Sequence, residues 1–331
     1  LVISRTPFRI SFFGGGTDLP IWCNDHEGFV VSTTIDKYCY VNARIFPPFF
    51  NHKHRIIYSE QERVNSIKEI KHPAVRAVME YLNIDSIDIG LEIQTTGDLP
   101  SKSGLGSSSS FVVGMLNSLH KLKNSHLSKH KLYEEAIYIE QKILKENVGS
   151  QDQVAASVGG LNAIKFNKEN IDIIPIFLNK EIEEKFENNL MLFFTGFTRF
   201  ASEIEGDKIK QAKNKIKYYE KLYNIANEGF KKLKNGNIYE IGELLHENWL
   251  IKKSLSDKVS NEYIDNIYKK ALYAGAIGGK ITGAGGGGFL LLYVNKEHQE
   301  SVKRELKDLL YIPFKFDNEG SKIIYSNGDR I

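Results

Sequence analysis

Residues 100–110 read Pro-Ser-Lys-Ser-Gly-Leu-Gly-Ser-Ser-Ser-Ser, and they join two patterns of different period. Before them, Ile87 to Ile93 alternates apolar and polar, which predicts a half-buried strand. After them, Val112, Met115, Leu116, Leu119 and Leu122 fall at helical spacing. A glycine-serine loop between a strand and a helix N-terminus is a site for an anion. Glycines allow close backbone approach and positive φ. The first N–H groups of a helix lack internal acceptors and carry partial positive charge. Phosphate is the usual guest of such an end. The bland alternative is a flexible linker, but linkers do not normally run straight into a strongly periodic helix. No G-x-x-x-x-G-K-[ST] string occurs, so the loop is not a Walker A loop.

Other classes can be set aside quickly. The net charge of +3 is small and the basic residues are interleaved with acids, which argues against nucleic acid as a partner. Cys23 and Cys39 make neither a disulfide framework nor a zinc pattern, pointing to a reducing cytoplasm. No apolar run reaches the ~18–20 residues of a membrane span, and the first residues do not read as a signal peptide.

Three further stretches carry chemistry. A strand pattern from Val2 to Phe13 empties into Gly14-Gly15-Gly16-Thr17-Asp18. This suggests a backbone turn beside a ligand, with Asp18 able to accept bonds from sugar hydroxyls or simply to cap the turn. A helix is expected over about Ser128–Glu146, with Glu140 flanked by Ala136, Ile137, Ile143 and Leu144. A carboxylate on that stripe needs a cation or strong donors, unless it snorkels to water. Asp152 follows the turn at Val148-Gly149 and precedes a small-residue helix, so it is either a helix cap or a reactive acid.

Near the end, Gly283 to Gly288 contains a formal G-x-G-x-x-G, but a helix precedes it and a strand follows. That order is the reverse of a Rossmann fingerprint. Arg199, after a strand pattern ending at Phe194, is either a surface residue or a ligand for a second substrate phosphate. His52 and His54 have no acid partner at metal spacing. Residues 200–256 are expected to be mostly helical and to form a solvated outer layer.

The string P-x-x-x-G-L-G-S-S-S at Pro100–Ser109 resembles the second motif of the GHMP small-molecule kinases. T-P-F-R-I-S-F-F-G-G-G-T-D at 6–18 resembles the first, whose galactokinase form is P-G-R-V-N-L-I-G-E-H-T-D. Arg9 and Asp18 match, while Gly15 and Gly16 stand where galactokinases carry Glu-His. That departure turns the resemblance from galactokinases toward heptose-7-phosphate kinases, with fucokinases nearby. K-I-T-G-A-G-G-G-G-F at 280–289 resembles the third motif, a glycine loop that closes over the active site. G-x-x-D-Q at 149–153 resembles the galactokinase segment with the catalytic Asp, and the step from Glu140 to Asp152 matches the spacing of metal Glu and base.

The resemblance implies an α+β chain of two domains, 1–180 like the ribosomal S5 domain-2 fold and 181–331 ferredoxin-like, with the active site between them. It implies ATP as phosphoryl donor and Mg²⁺ as cofactor. Pro100, Gly104, Leu105, Gly106, Ser107, Ser108 and Ser109 would hold ATP. Ser108 and Glu140 would hold Mg²⁺. Asp152 would take or orient the proton of the attacking hydroxyl, with Arg9 offsetting charge on the transferring group. Gly15, Gly16, Thr17, Asp18, Arg199, Gly285 and Gly286 would meet the sugar. The implied reaction is phosphorylation of the anomeric hydroxyl of D-glycero-D-manno-heptose 7-phosphate to the 1,7-bisphosphate, for nucleotide-activated heptose and surface polysaccharide synthesis in the cytoplasm. The alternatives are a fucokinase or mevalonate-type kinase, or a non-catalytic regulator of the same fold. The implied partners are small molecules, with no membrane or nucleic acid, and the family is compatible with a homodimer.

Overall fold

The computed structural model describes residues 1–86, 89–196 and 215–328. Two sheets organise it. The first holds β1 (Val2–Phe13), β2 (Gly28–Phe46), β3 (His54–Ile57), β4 (Gln61–Val64), β5 (Gly90–Gly97), β6 (Asn162–Phe166) and β7 (Ile171–Pro175). The second holds β8 (Leu190–Phe194), β9 (Ala276–Ile281), β10 (Phe289–Val294) and β11 (Leu310–Ile312), in the order β11-β8-β10-β9. The chain then returns. Strands β12 (Phe316–Asp317) and β13 (Lys322–Ser326) pair with β2 and β1, so the last strands complete the first sheet.

The helices are α1 (Pro20–Cys23), α2 (Pro73–Tyr81), α3 (Ser107–Leu122), α4 (Lys129–Tyr138), α5 (Gln151–Val158) and α6 (Lys180–Asn188). They continue with α7 (Ile216–Lys234), α8 (Ile241–Lys253), α9 (Glu262–Tyr273) and α10 (Gln299–Glu305).

Strand β1 positions the site. Its first residues alternate between buried and half-buried, while from Arg5's neighbour Thr6 onward every position is buried. The change follows from what covers it, since α3, α5 and α7 all pack on β1. Helix α3 comes very close. Ser4 Oγ donates to the Gly114 carbonyl at 2.8 Å, and a Cβ on Gly114 would lie 2.8 Å from Thr6 Oγ1. One hydrophobic cluster runs from Val41 and Leu116 at the first sheet to Leu192 and Leu291 at the second. Across that junction, buried Lys280 of β9 donates to the carbonyls of Ser11 and Phe12 at 2.8 and 2.9 Å.

Three local expectations change. The strand ahead of the glycine-serine loop begins at Gly90, with 87–88 outside the described residues. The long helix expected to Glu146 is α-helical only to Tyr138 and then widens into a π turn at Ile139–Ile143. Helix α8 is not an outer layer. Ile241, Leu245 and Trp249 are buried because it packs on β9.

Candidate active site

The loop ahead of α3 is built as the sequence predicts. Gly106 caps the helix at φ 74°, a left-handed conformation that costs a side-chain-bearing residue about 1–2 kcal/mol. Ser110 N is the first to find a helical acceptor, the Gly106 carbonyl, at 2.9 Å. The N–H groups of Ser107, Ser108 and Ser109 therefore precede the helical ladder, and no acid sits in that first turn to compete with an anion. The side chains differ in fate. Leu105 is in the core, so only its backbone is available, and its carbonyl accepts from Arg9 N at 3.0 Å. Pro100 and Ser108 are exposed, Ser107 is half-buried with its Oγ accepting from Lys102 N, and Ser109 is buried.

The third glycine loop buttresses this one. A Cβ on Gly283 would lie 2.5 Å from the Gly104 Cα, and one on Gly288 would lie 2.1 Å from the Ser103 carbonyl. Only glycine lets the two backbones meet there. Buried Lys252 of α8 holds the loop from behind by donating to the Ile281 carbonyl at 3.0 Å and to the Gly283 carbonyl. Gly285 and Gly286, expected to meet the sugar, are buried against Val259, whose carbonyl accepts from Gly286 N at 2.7 Å.

Arg9 and Asp152 come together from β1 and the first turn of α5. Nε donates to Oδ1 and Nη2 to Oδ2, each at 2.7 Å, while Nη1 donates to the Gly104 carbonyl at 2.7 Å. The Arg9 side chain is 5% exposed and that of Asp152 24%, so the carboxylate faces outward with the cation behind it. Asp152 lies 3.3 Å from where a Cβ on Gly106 would sit, directly beside the loop. A carboxylate in this place has lone pairs left to accept a proton from a bound hydroxyl.

Glu140, in the π turn, is fully buried. Its Oε2 accepts from Ser109 Oγ at 2.8 Å and from Gln153 Nε2, while Oε1 has no hydrogen-bond partner. Burial pushes its carboxyl up to about 7, opposed by the Ser109 and Gln153 bonds and aided by the charges of Glu146 and Asp152. The hydroxyl beside Glu140 is thus that of Ser109, not that of the exposed Ser108.

The Gly-Gly-Thr-Asp turn forms a wall. Thr17 Oγ1 donates to the Gly14 carbonyl at 2.8 Å and accepts from Phe29 N at 3.0 Å, and the residue is buried. Its hydroxyl is committed to the turn instead of to a sugar, because the turn has to be stitched to β2. Asp18 is also buried and accepts from Gly16 N, Gln151 N and Gln151 Nε2 at 3.0, 3.1 and 3.0 Å. It ties the turn to the start of α5, which carries Asp152. Gly15 keeps partial exposure beside the Gln151 amide, and Gly16 lies against the Tyr219 ring. Arg199 lies outside the described residues.

Sequence reasoning missed Gln151 and Gln153 as members of this site. The Gln-Asp-Gln string at 151–153 was the signal, because amides flanking an acid on one helical turn can each brace a different carboxylate.

Residues 65–160 match the family model described as GHMP kinases N terminal domain, and residues 230–312 match GHMP kinases C terminal. A D-glycero-alpha-D-manno-heptose 7-phosphate kinase of Campylobacter jejuni is 30% identical, over 96% of this chain and 97% of its own. This chain belongs to the GHMP kinase family. The solved structure of a D-glycero-D-manno-heptose 1-phosphate kinase from Bacteroides thetaiotaomicron superposes with a TM-score of 0.81 at 25% identity, covering 98% of this chain and 100% of that one. A galactokinase of Pyrococcus furiosus is 25% identical over 90% of each chain. The α+β two-domain architecture expected from sequence is the GHMP kinase fold, and the protein is an ATP-dependent sugar kinase. No helix among the described residues is long and apolar enough to cross a membrane.

Proposed function

We propose that this GHMP kinase transfers the γ-phosphoryl group of ATP to the anomeric hydroxyl of D-glycero-D-manno-heptose 7-phosphate. The observation that carries the chemistry is the outward-facing Asp152 carboxylate, backed by Arg9 and set beside the helix-terminal loop. The choice of sugar is supported by the Campylobacter relative and by the Gly15-Gly16 turn, which lacks the Glu-His pair of galactokinases. The Campylobacter relative is named for a heptose 7-phosphate and the Bacteroides structure for a heptose 1-phosphate, and the position phosphorylated is tested by the reaction product.

Each residue then has a role. The N–H groups of Ser107–Ser109 and the backbone at Gly104–Gly106 hold the triphosphate. Asp152 accepts the proton of the attacking hydroxyl at a carboxylate oxygen, and Arg9 fixes that oxygen's place while offsetting charge on the transferring group. Phosphoryl transfer is mostly positioning and charge stabilisation, which suits a site made of two rigid loops and one ion pair.

Mg²⁺ fits the donor set at Glu140. Its buried Oε1 is an acceptor without a donor, as a cation's ligand would be. Mg²⁺ is usually held by one or two carboxylates plus substrate phosphates, so a single buried carboxylate beside the phosphate loop is compatible with it. Glu140 would hold the ion; Ser108, which the family resemblance pairs with it, is exposed in the first turn of α3, and the hydroxyl bonded to Glu140 is that of Ser109. When bound, the ion would supply positive charge to offset that of the transferring phosphates. The same reading divides the chain near residue 180, with β12 and β13 completing the first part, and places the reaction in the cytoplasm, ahead of nucleotide-activated heptose for surface polysaccharide.

The test is an ADP-coupled screen with heptose 7-phosphate, fucose, galactose, mannose and mevalonate. The proposal predicts the highest kcat/KM for the heptose phosphate. A higher value for fucose or mevalonate would reassign the substrate.

A further inference from the structure

Gln153 is fully buried, and among the described residues its side chain bonds to Glu140 alone, Nε2 donating to Oε2. Ser109 Oγ donates to the same oxygen. Three elements meet at that atom: the first turn of α3, the π turn and the first turn of α5. Both donors crowd onto Oε2, and Oε1 of the same carboxylate is left bare. Gln153 Oε1 is bare as well. Two acceptors on bonded side chains thus lie buried with no donor between them, which is costly in a protein interior. A leucine at 153 would fill comparable space without burying an unpaired carbonyl. Packing therefore does not explain the amide.

The orientation of the amide suits the cation-bound state, in which the carboxylate would be ionised and would only accept, so that the NH₂ group faces it. With two donors fixed on one oxygen, the carboxylate cannot turn about its last bond, a rotation that is otherwise soft. We propose that Gln153 is a positioning residue: with Ser109 it anchors Glu140 Oε2 so that Oε1 alone is presented to the divalent cation. The proposal rests on Glu140 being the cation's ligand. It also gives the site an internal link, because Gln153 adjoins Asp152 on the same helical turn. The helix that carries the base then also aims the metal ligand.

The probe is Mn²⁺, whose free signal is read by electron paramagnetic resonance in titrations of the whole protein with a non-hydrolysable ATP analogue. Gln153→Leu should weaken Mn²⁺ binding by about ten- to hundred-fold, the usual effect of losing a partner that orients a metal ligand. Affinity for the analogue without metal should stay at the wild-type value, a split that a general loss of packing would not give. Gln153→Met, unbranched and of similar length, serves if the leucine variant does not fold. Glu140→Gln is the reference. If Glu140→Gln weakens Mn²⁺ binding and the Gln153 variants bind it like wild type, the positioning role is overturned. If Glu140→Gln itself leaves Mn²⁺ affinity intact, the ligand assignment falls, and the role of Gln153 falls with it.

Discussion

Arg9 holds Asp152 through two parallel 2.7 Å bonds, and its remaining nitrogen donates to the Gly104 carbonyl at the same distance. One guanidinium therefore sets the spacing between the reactive carboxylate and the phosphate loop. A lysine could not make the same fork. Asp152→Asn should keep ATP binding and lower kcat by roughly 10²-fold or more, the scale of a lost general base. Arg9→Lys should lower kcat and also raise KM for ATP, because it releases the loop carbonyl too. Steady-state kinetics of both variants check this, and an Asp152→Asn enzyme with normal kcat would reduce Asp152 to a helix cap.

Thr17 separates a wall from a contact. Its hydroxyl is buried and bonded to Gly14 and Phe29, so Thr17→Val should cost about 1–3 kcal/mol of stability. KM for the sugar should change little in the protein that remains folded. Urea unfolding and sugar kinetics measured together decide it. A large rise in KM without loss of stability would return Thr17 to the substrate.

Gly106→Ala tests the loop. The residue sits at φ 74°, and a Cβ there would lie 3.2 Å from Arg9 Cγ and 3.3 Å from Asp152 Oδ2. Strain of about 1–2 kcal/mol and pressure on the ion pair should raise KM for ATP and lower kcat together. Wild-type kinetics in this variant would mean that the loop does not depend on its left-handed cap.

Much of this site is legible in the sequence, for definite reasons. The strand–loop–helix at 90–122 is visible because two periods meet at glycines, whereas Asp152 reads equally as a helix cap or a reactive acid until the resemblance of G-x-x-D-Q favours the acid. The wall made by Thr17 and Asp18 is not legible, since the same Gly-Thr-Asp string serves a sugar contact or a stitched turn equally well. The π turn at Ile139–Ile143 is hidden because one extra residue per turn barely alters an apolar stripe. The return of β12 and β13 to the first sheet is hidden too. Short strands of two and five residues pair with partners some 300 positions away, and no local pattern records a partner.

Glu140 gives the protein a pH signature. Without metal, burial raises its carboxyl from the usual 4.5 to about 7. The folded state then keeps a proton that the unfolded chain has already released. That advantage is complete below about pH 4.5 and is lost as pH rises through about 7, a change of order 3 kcal/mol. Glu140→Gln lacks it. In EDTA, wild type should therefore lose stability relative to Glu140→Gln between pH 5 and pH 8, read by urea unfolding of both. Parallel pH profiles would mean that Glu140 is not buried as described.

The most direct test of the whole account is the product. ³¹P NMR of a reaction containing ATP, Mg²⁺ and D-glycero-D-manno-heptose 7-phosphate should show ADP forming together with a second sugar phosphate signal coupled to the anomeric proton, while the 7-phosphate signal persists. A new phosphate coupled to any other sugar proton, or ADP formation without a second sugar phosphate, would contradict it.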